Sequence, residues 1–377
     1  MHILMITSGN FPSGNAGSVR MEIFAKILTD DGNTVTAISR TEKNTSKENL
    51  NIYSTRGNSA SKIVKLFEYF LFPKRAKAII KANAPFDAVY VYNVPIRLFV
   101  YLKKYCKKQN IPLVHDCVEW YSASEFKAGF FSLAYLEKDI INRFVIDKNV
   151  KVISISKYLE EYFTKKGITT VRIPILADMT DECEKKLEKD SARIMYAGSP
   201  GKKDLIGNAV KAYFALSREK REKLKLLFIG TGKKQISELS GISTDKLQEE
   251  KNIIILPRIP RDEVLEKFGG SDFIILPRNS AERYAKAGFP SKVVEALAHK
   301  TPILCNYSSD LADYLTDGEN SVIAADHTPD AICAAYKRII GLSLSEREKL
   351  QENAFSTAKK YFCYKLFEKS FLDFLEK

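Results

Sequence analysis

The sequence predicts two successive α/β domains, each a doubly wound, Rossmann-like parallel sheet. Three observations carry this expectation. The chain has 377 residues, enough for two domains of roughly 150–200 each. Short apolar runs alternate with helical stretches along its length. The alternation restarts after one charged segment, DECEKKLEKDSA (181–192).

In the first half, HILMIT (2–7) reads as a buried strand running into a Gly-rich loop, followed by a helical pattern from Val19 to Leu28. NTVTAIS (33–39), DAVYVYN (87–93), IPLVHD (111–116) and VKVISIS (150–156) are further strands. Strands buried on both faces read as continuous apolar runs, as these do. In the second half the strands are ARIMYAG (192–198), KLLFIGTG (225–232), NIIIL (252–256), DFIIL (272–276), TPILC (301–305) and SVIA (321–324). Helical stretches stand at 204–217, 291–299 and 328–340, and the tail 345–377 reads as helix. About six strands per domain are expected. The expected boundaries are 1–175 for the first domain, 176–191 for a linker, 192–355 for the second domain, and 356–377 for a C-terminal helix able to pack back on the first. Open parallel sheets bind ligands at the carboxyl ends of their strands, so the cleft between the domains is the expected site.

Composition excludes several classes. Apolar residues make up 45%, a globular rather than a disordered balance. The opening MHILMIT lacks the basic flank, long apolar run and cleavage site of a signal peptide, and no run of about 18 apolar residues spans a bilayer. Six scattered cysteines without CxxC spacing read as reduced thiols of a cytoplasmic protein. With four scattered histidines they assemble no metal site. The net charge is +13, and residues 1–174 carry 26 Lys and Arg against 15 Asp and Glu. The basic excess of that half points to an acidic partner.

Four places carry residues suited to binding. In the loop SGNFPSGNAGSVRM (8–21), Gly14, Asn15, Ala16 and Gly17 would let backbone N–H groups approach an anion before a helix begins. A bare β–α turn is the plainer alternative. The spacing is not G-x-G-x-x-G, and the second strand ends at Ser39-Arg40 without the ribose-binding acid, so a dinucleotide is disfavoured. YAGSPGKKDL (196–205) puts Gly198 at a strand end, with Lys203 able to neutralise a diphosphate or simply to sit in solvent. In GFPSKVVEALAHKTPIL (288–304), Ser291 is placed to cap a helix. Lys292 opposes the dipole of that helix, a local conflict that marks function, and Glu295 follows within one turn. The plainer alternative is an exposed Lys292–Glu295 ion pair. His115 is expected at the carboxyl end of a strand.

These motifs, in this order, resemble the family-4 retaining glycosyltransferases of GT-B fold, of the cell-surface polysaccharide type. The resemblance covers most of the chain and is strongest over 192–325. Its landmarks are SGNFPSGNAG, VHD (114–116), SISKYL (154–159), IPILAD (173–178), YAGSPGKKDL, LLFIGTG (226–232), LPRIPRDEV (256–264), SDFIILP (271–277) and GFPSKVVEALAHKTPIL. The resemblance implies His115, Lys203 and Lys292 as catalytic residues, with His115 facing the transferred sugar and Lys203 on the diphosphate. It implies donor contacts from Gly17, Gly198, Ser199 and Pro290, and phosphate contacts from Ser291 and Lys292. Backbone at Arg258 and Ile259 would touch the nucleobase, and Glu295 the ribose. Gly14, Asn15, Ala16 and Gly17 would form the acceptor or phosphate loop. No cofactor and no metal are implied.

Two positions depart from the common pattern. A first glutamate, eight residues before Glu295, is replaced by Ala287, and an arginine after Gly198 is replaced by Ser199. Arg278 or Arg283 is placed to restore that charge. The P-S-K-x-x-E form at 290–295 reads as a variant of the family. The expected partners are a nucleotide sugar and a sugar or lipid-linked acceptor, with no nucleic acid. Competing classes are a non-catalytic nucleotide-sugar-binding subunit and a sugar-nucleotide epimerase. SKIVKLFEYFLFPKRAKAIIK (61–81), basic and rich in large apolar residues from Phe67 to Phe72, is expected on an anionic membrane surface; an ordinary packed amphipathic helix is the alternative.

Overall fold

A computed structural model of the chain describes residues 1–13, 15–56, 62–179, 185–201 and 203–376, with backbone alone for 62–69. The described residues form two compact units. The first comprises Met1–Ala123, Ala128–Leu176 and Tyr364–Lys377; the second comprises Ser124–Lys127 and Ala177–Cys363. The expected boundary at 355 therefore falls inside the Leu344–Tyr361 helix, all of which belongs to the second unit.

The first unit holds β1 (His2–Thr7), β2 (Thr34–Ser39), β3 (Thr45–Lys47), β4 (Leu50–Ser54), β5 (Ala88–Tyr92), β6 (Leu113–Cys117), β7 (Lys151–Ser154) and β8 (Thr170–Arg172). They form one sheet in the order β3-β4-β2-β1-β5-β6-β7-β8, parallel except for the β3–β4 pair. Eight strands stand where about six were expected. The strands not named in advance are β3, β4 and β8, of which β3 is fully exposed and β4 and β8 are mostly half-buried, so no apolar run announces them. Ile3, Met5, Phe24 and Tyr90 build the core, and Phe371 of the Glu368–Glu376 helix stacks on Phe24 at 4.3 Å.

The second unit holds β9 (Ala192–Ala197), β10 (Leu224–Ile229), β11 (Ile253–Leu256), β12 (Phe273–Leu276), β13 (Ile303–Cys305) and β14 (Ser321–Ile323). Their order is β11-β10-β9-β12-β13-β14, all parallel. Almost every residue of β9, β10, β12 and β13 is buried, which is why their apolar runs are continuous.

The tail is not one helix. It breaks between Tyr361 and Glu368, where buried Phe362 packs on Phe289 and Tyr314 and the chain passes from the second unit to the first. The charged segment at 181–192 is not helical over its described residues 185–192. Lys185 is tied down, donating to the Phe268 and Ser271 carbonyls and to Thr301 Oγ1 at 2.6, 3.1 and 2.7 Å. Among the described residues, no helix is long and apolar enough to cross a membrane.

Each sheet has one place where its order reverses. In the first, the chain passes from β1 outward through β2 to β4 and then returns to β5 on the other side of β1. In the second, it runs from β9 through β10 to β11 and returns to β12. Loops leaving two neighbouring strands in opposite directions open a crevice at such a switch point.

Candidate functional site

The crevice of the second unit lies between the carboxyl ends of β9 and β12 and is filled by a charge cluster around Asp204. This carboxylate is 5% exposed. Arg278 donates to its Oδ1 through Nε and Nη2, both at 2.9 Å. Lys292 Nζ and the Tyr196 hydroxyl donate to its Oδ2 at 2.8 and 3.0 Å. Burial works to raise the Asp204 pKa, but Arg278 and Lys292 outweigh it and hold the carboxyl well below the usual range. Burial pushes the Tyr196 hydroxyl far up, so it stays a donor.

The backbone makes room for this cluster. Gly198 follows β9 with φ +143°, and a Cβ there would stand 2.7 Å from Lys292 Cε. Gly230, after β10, has φ +90° and would press a Cβ to 2.8 Å from the Gly198 carbonyl oxygen. Two neighbouring strands thus end in glycines because backbone and lysine occupy the space of a side chain. Lys292 sits in the first turn of the Ser291–Ala298 helix, whose leading N–H groups lack intrahelical partners. Lys203 Nζ pairs with Glu125 Oε2 at 2.9 Å. Ser124 donates to Glu282 at 2.9 Å, so the short segment Ser124–Lys127 is held here.

The first unit's crevice lies between β1 and β5. The Ser8 N–H and hydroxyl both reach the Asn93 carbonyl, at 3.2 and 2.5 Å, and Asn93 is left-handed at φ +48°. Beside them is a cavity of about 190 Å³ whose walls include Ser8, Asn93, His115, Tyr121, Glu137 and Lys138. His115 is 2% exposed, neither ring nitrogen has a partner at full hydrogen-bond geometry among the described residues, and Phe99 meets it edge-on at 5.1 Å. Burial, then the Lys138 ammonium, hold its pKa well below the ordinary histidine range. A neutral imidazole on a polar cavity can donate through one nitrogen and accept at the other.

Residues 179–357 match the family described as glycosyl transferases group 1. The matched residues fall within the second unit's Ala177–Cys363. An uncharacterized glycosyltransferase of Methanocaldococcus jannaschii is 23% identical over 290 residues, 74% of this chain and 71% of its own. Among solved structures, WaaG, a glycosyltransferase involved in lipopolysaccharide biosynthesis, aligns with a TM-score of 0.72 at 15% identity over 98% of each chain. Sucrose-phosphate synthase from Thermosynechococcus elongatus aligns at 0.75 and 14% identity, over 99% of this chain and 98% of its own. HepE of Anabaena, solved with UDP and glucose, aligns at 0.68 and 13% identity, over 100% and 99%. These likenesses show the fold, GT-B with two Rossmann-like domains.

In the second unit the structure brings Gly198 and Lys292 together and adds Asp204, Arg278 and Tyr196 to them, while the Lys203 ammonium is held by Glu125. Ser291 is not the helix cap. It is the first helical residue, Pro290 holds the cap position, and no side chain caps this end, because the ring of Pro290 fixes an extended backbone one residue earlier than expected. The plainer alternative, a Lys292–Glu295 ion pair, is not what forms among the described residues. Lys292 turns to Asp204, while Glu295 meets Arg261 at 2.8 Å. Ser199 and Arg258 are exposed, Ile259 is half-buried and Pro290 is buried. Ala287 is fully buried. Of the two arginines proposed to restore charge, Arg278 is in the cluster.

In the first unit, His115 is not the last residue of its strand, since β6 runs on to Cys117. Asn15 caps the Ala16–Asp30 helix, accepting from the Ser18 N–H at 3.0 Å. Gly17 has a packing reason: a Cβ would lie 2.5 Å from the Tyr92 hydroxyl oxygen. Gly14 lies outside the described residues.

Proposed function

We propose that this chain is a retaining, metal-independent glycosyltransferase. It would move a sugar from a nucleoside-diphosphate sugar to an acceptor hydroxyl, in cell-surface polysaccharide or glycolipid synthesis at the cytoplasmic face of a membrane. The observation that carries this reading is the position of Lys292. Gly198 gives it space, Asp204 fixes it, and a helix N-terminus and Arg278 stand beside it at a switch point. This is a preorganised site for a doubly charged leaving group. HepE of Anabaena has also been solved in complex with UDP-glucose, which supports a nucleotide sugar as donor here.

On this reading the C1–O bond to the diphosphate breaks as the acceptor oxygen bonds C1 on the same face. The acceptor proton passes to a donor phosphate oxygen. Lys292, Lys203 and the helix N-terminus hold the charge that develops on the diphosphate. Glu295 accepts from the ribose hydroxyls, and backbone at Arg258 and Ile259 meets the base. His115, neutral, holds the sugar hydroxyls.

The test is a thermal-shift panel of nucleotide sugars followed by turnover with acceptor in chelator. One donor at 100 times its Kd adds about 2.7 kcal/mol of stability, and turnover persists without divalent metal. Affinity for that donor falls from wild type to Glu295→Gln to Glu295→Ala, each lost charge-assisted bond being worth about 1.5–3 kcal/mol. A chain that binds no donor, or that interconverts donor without any acceptor, ends the proposal. Unchanged affinity in Glu295→Ala removes the ribose role.

A further inference from the structure

The Leu133–Ile140 helix and the π turn Ile141–Val145 that continues it bury one face normally, with Tyr135, Ile141 and Asn142 inside. The opposite face is apolar as well. Phe131 is 86% exposed, Phe144 76%, Leu133 71% and Phe130 68%, and Leu136 and Ile140 are exposed beside them. Leu133, Leu136, Ile140 and Phe144 recur at helical spacing, so they form one ridge, entered through the pair Phe130-Phe131. A soluble surface helix ordinarily turns polar residues outward, and large apolar groups clustered on a convex face mark an interaction site.

The surroundings say what kind of partner fits. The Ile96–Gln109 helix lies next to the ridge, its Ile96 N–H donating to Glu137 at 3.1 Å. The Lys62–Asn83 helix lies beyond it, with Arg97 at 5.9 Å from the Phe70 ring and Lys77 at 4.5 Å over Tyr101. These two helices carry eleven Lys and Arg against a single acid, Glu68. Phe70 and Leu71 are exposed there. The acids near the ridge are paired: Glu137 accepts from the Ile96 N–H, Asp139 from Trp120 and Arg143, and Asp147 from Lys103.

We infer that the ridge Phe130–Phe144 inserts into an anionic lipid surface while the two basic helices lie against its headgroups. A second copy of this chain would bring the same positive excess and be repelled. A bilayer interface accepts an irregular apolar ridge without shape complementarity and supplies negative charge around it. The surface expected from residues 61–81 thereby shifts to the neighbouring segment. The side chains of 62–69 lie outside the described residues, Phe72 is buried, and Pro73 stands within a continuous helix.

Co-sedimentation with vesicles of phosphatidylcholine, with and without phosphatidylglycerol, tests this. The full chain binds the anionic vesicles, not the neutral ones, and binding weakens with salt. Phe131→Ser/Leu133→Ser/Phe144→Ser binds at least about tenfold less at unchanged melting temperature, and Lys74→Glu/Lys77→Glu also weakens binding. Emission of Phe131→Trp is quenched by lipids brominated on the acyl chains. Equal binding to both vesicles, binding to neither, a triple variant that binds as wild type, or an unquenched Trp in the bound state overturns the inference. So does self-association that the triple variant abolishes, which would assign the ridge to a second copy.

Discussion

Asp116 in the first unit and Asp204 in the second are both buried acids holding an arginine and a tyrosine. Arg20 donates to both oxygens of Asp116 at 2.7 and 2.9 Å, and the Tyr90 hydroxyl donates at 2.5 Å. The rest of Arg20 is spent on the Pro174 and Ile173 carbonyls. Arg20 and Asp116 are sealed, at 2% and 0% exposure. Around Asp204 the same chemistry stays open, for the Lys292 side chain is 27% exposed. A closed network holds strand and helix together. An open one keeps a fixed cation available to an anion from outside. The distinction lies in the accessibility of the cation, not in the residue types.

The most disruptive test of that contrast is Arg20→Leu. It leaves Asp116 charged in the core, a loss of about 3–5 kcal/mol for a broken buried pair. Urea unfolding measures it, and a variant as stable as wild type would mean that the first network is not structural. Lys292→Ala belongs at the other pole. Asp204 keeps Arg278, so the fold holds, while affinity for the nucleoside diphosphate drops by about 1.5–3 kcal/mol, roughly 10–150-fold. If calorimetry finds affinity intact and unfolding finds a loss like that of Arg20→Leu, the two clusters are alike and the binding role fails.

His115 sharpens the comparison more gently. Its folded pKa lies below the ordinary 6.5, so the unfolded chain takes up its proton first as pH falls. Stability from this group is full above 6.5 and is lost below it, until the folded value is reached. The slope is at most about 1.4 kcal/mol per pH unit. His115→Gln flattens the stability curve below pH 6.5; a variant with the wild-type slope would show that the imidazole is not held neutral by the fold.

What could be read in advance follows from sequence distance. The buried parallel strands were legible because burial on both faces writes a continuous apolar run, as in DFIIL and HILMIT. Lys292 was legible as a lysine placed against its own helix dipole. Asp204 was not. Its arginine is 74 residues away and its lysine 88, and nothing local distinguishes an aspartate that gathers cations from one that faces water. The ridge at 130–144 was equally hidden. An apolar helix pattern announces burial, and only the packed fold shows which apolar face was left outside.

Gly198 has a consequence for how this chain can vary. Its missing side chain is the space in which Lys292 lies, so the two positions are not independent letters. Adding a methyl group at 198 while the lysine is long forces the ammonium off Asp204; adding it after position 292 has been shortened leaves only the cost of the positive φ. The same substitution is thus more harmful in one background than in the other. A change at 198 is therefore borne better once position 292 has been shortened, and the order in which the two positions vary matters.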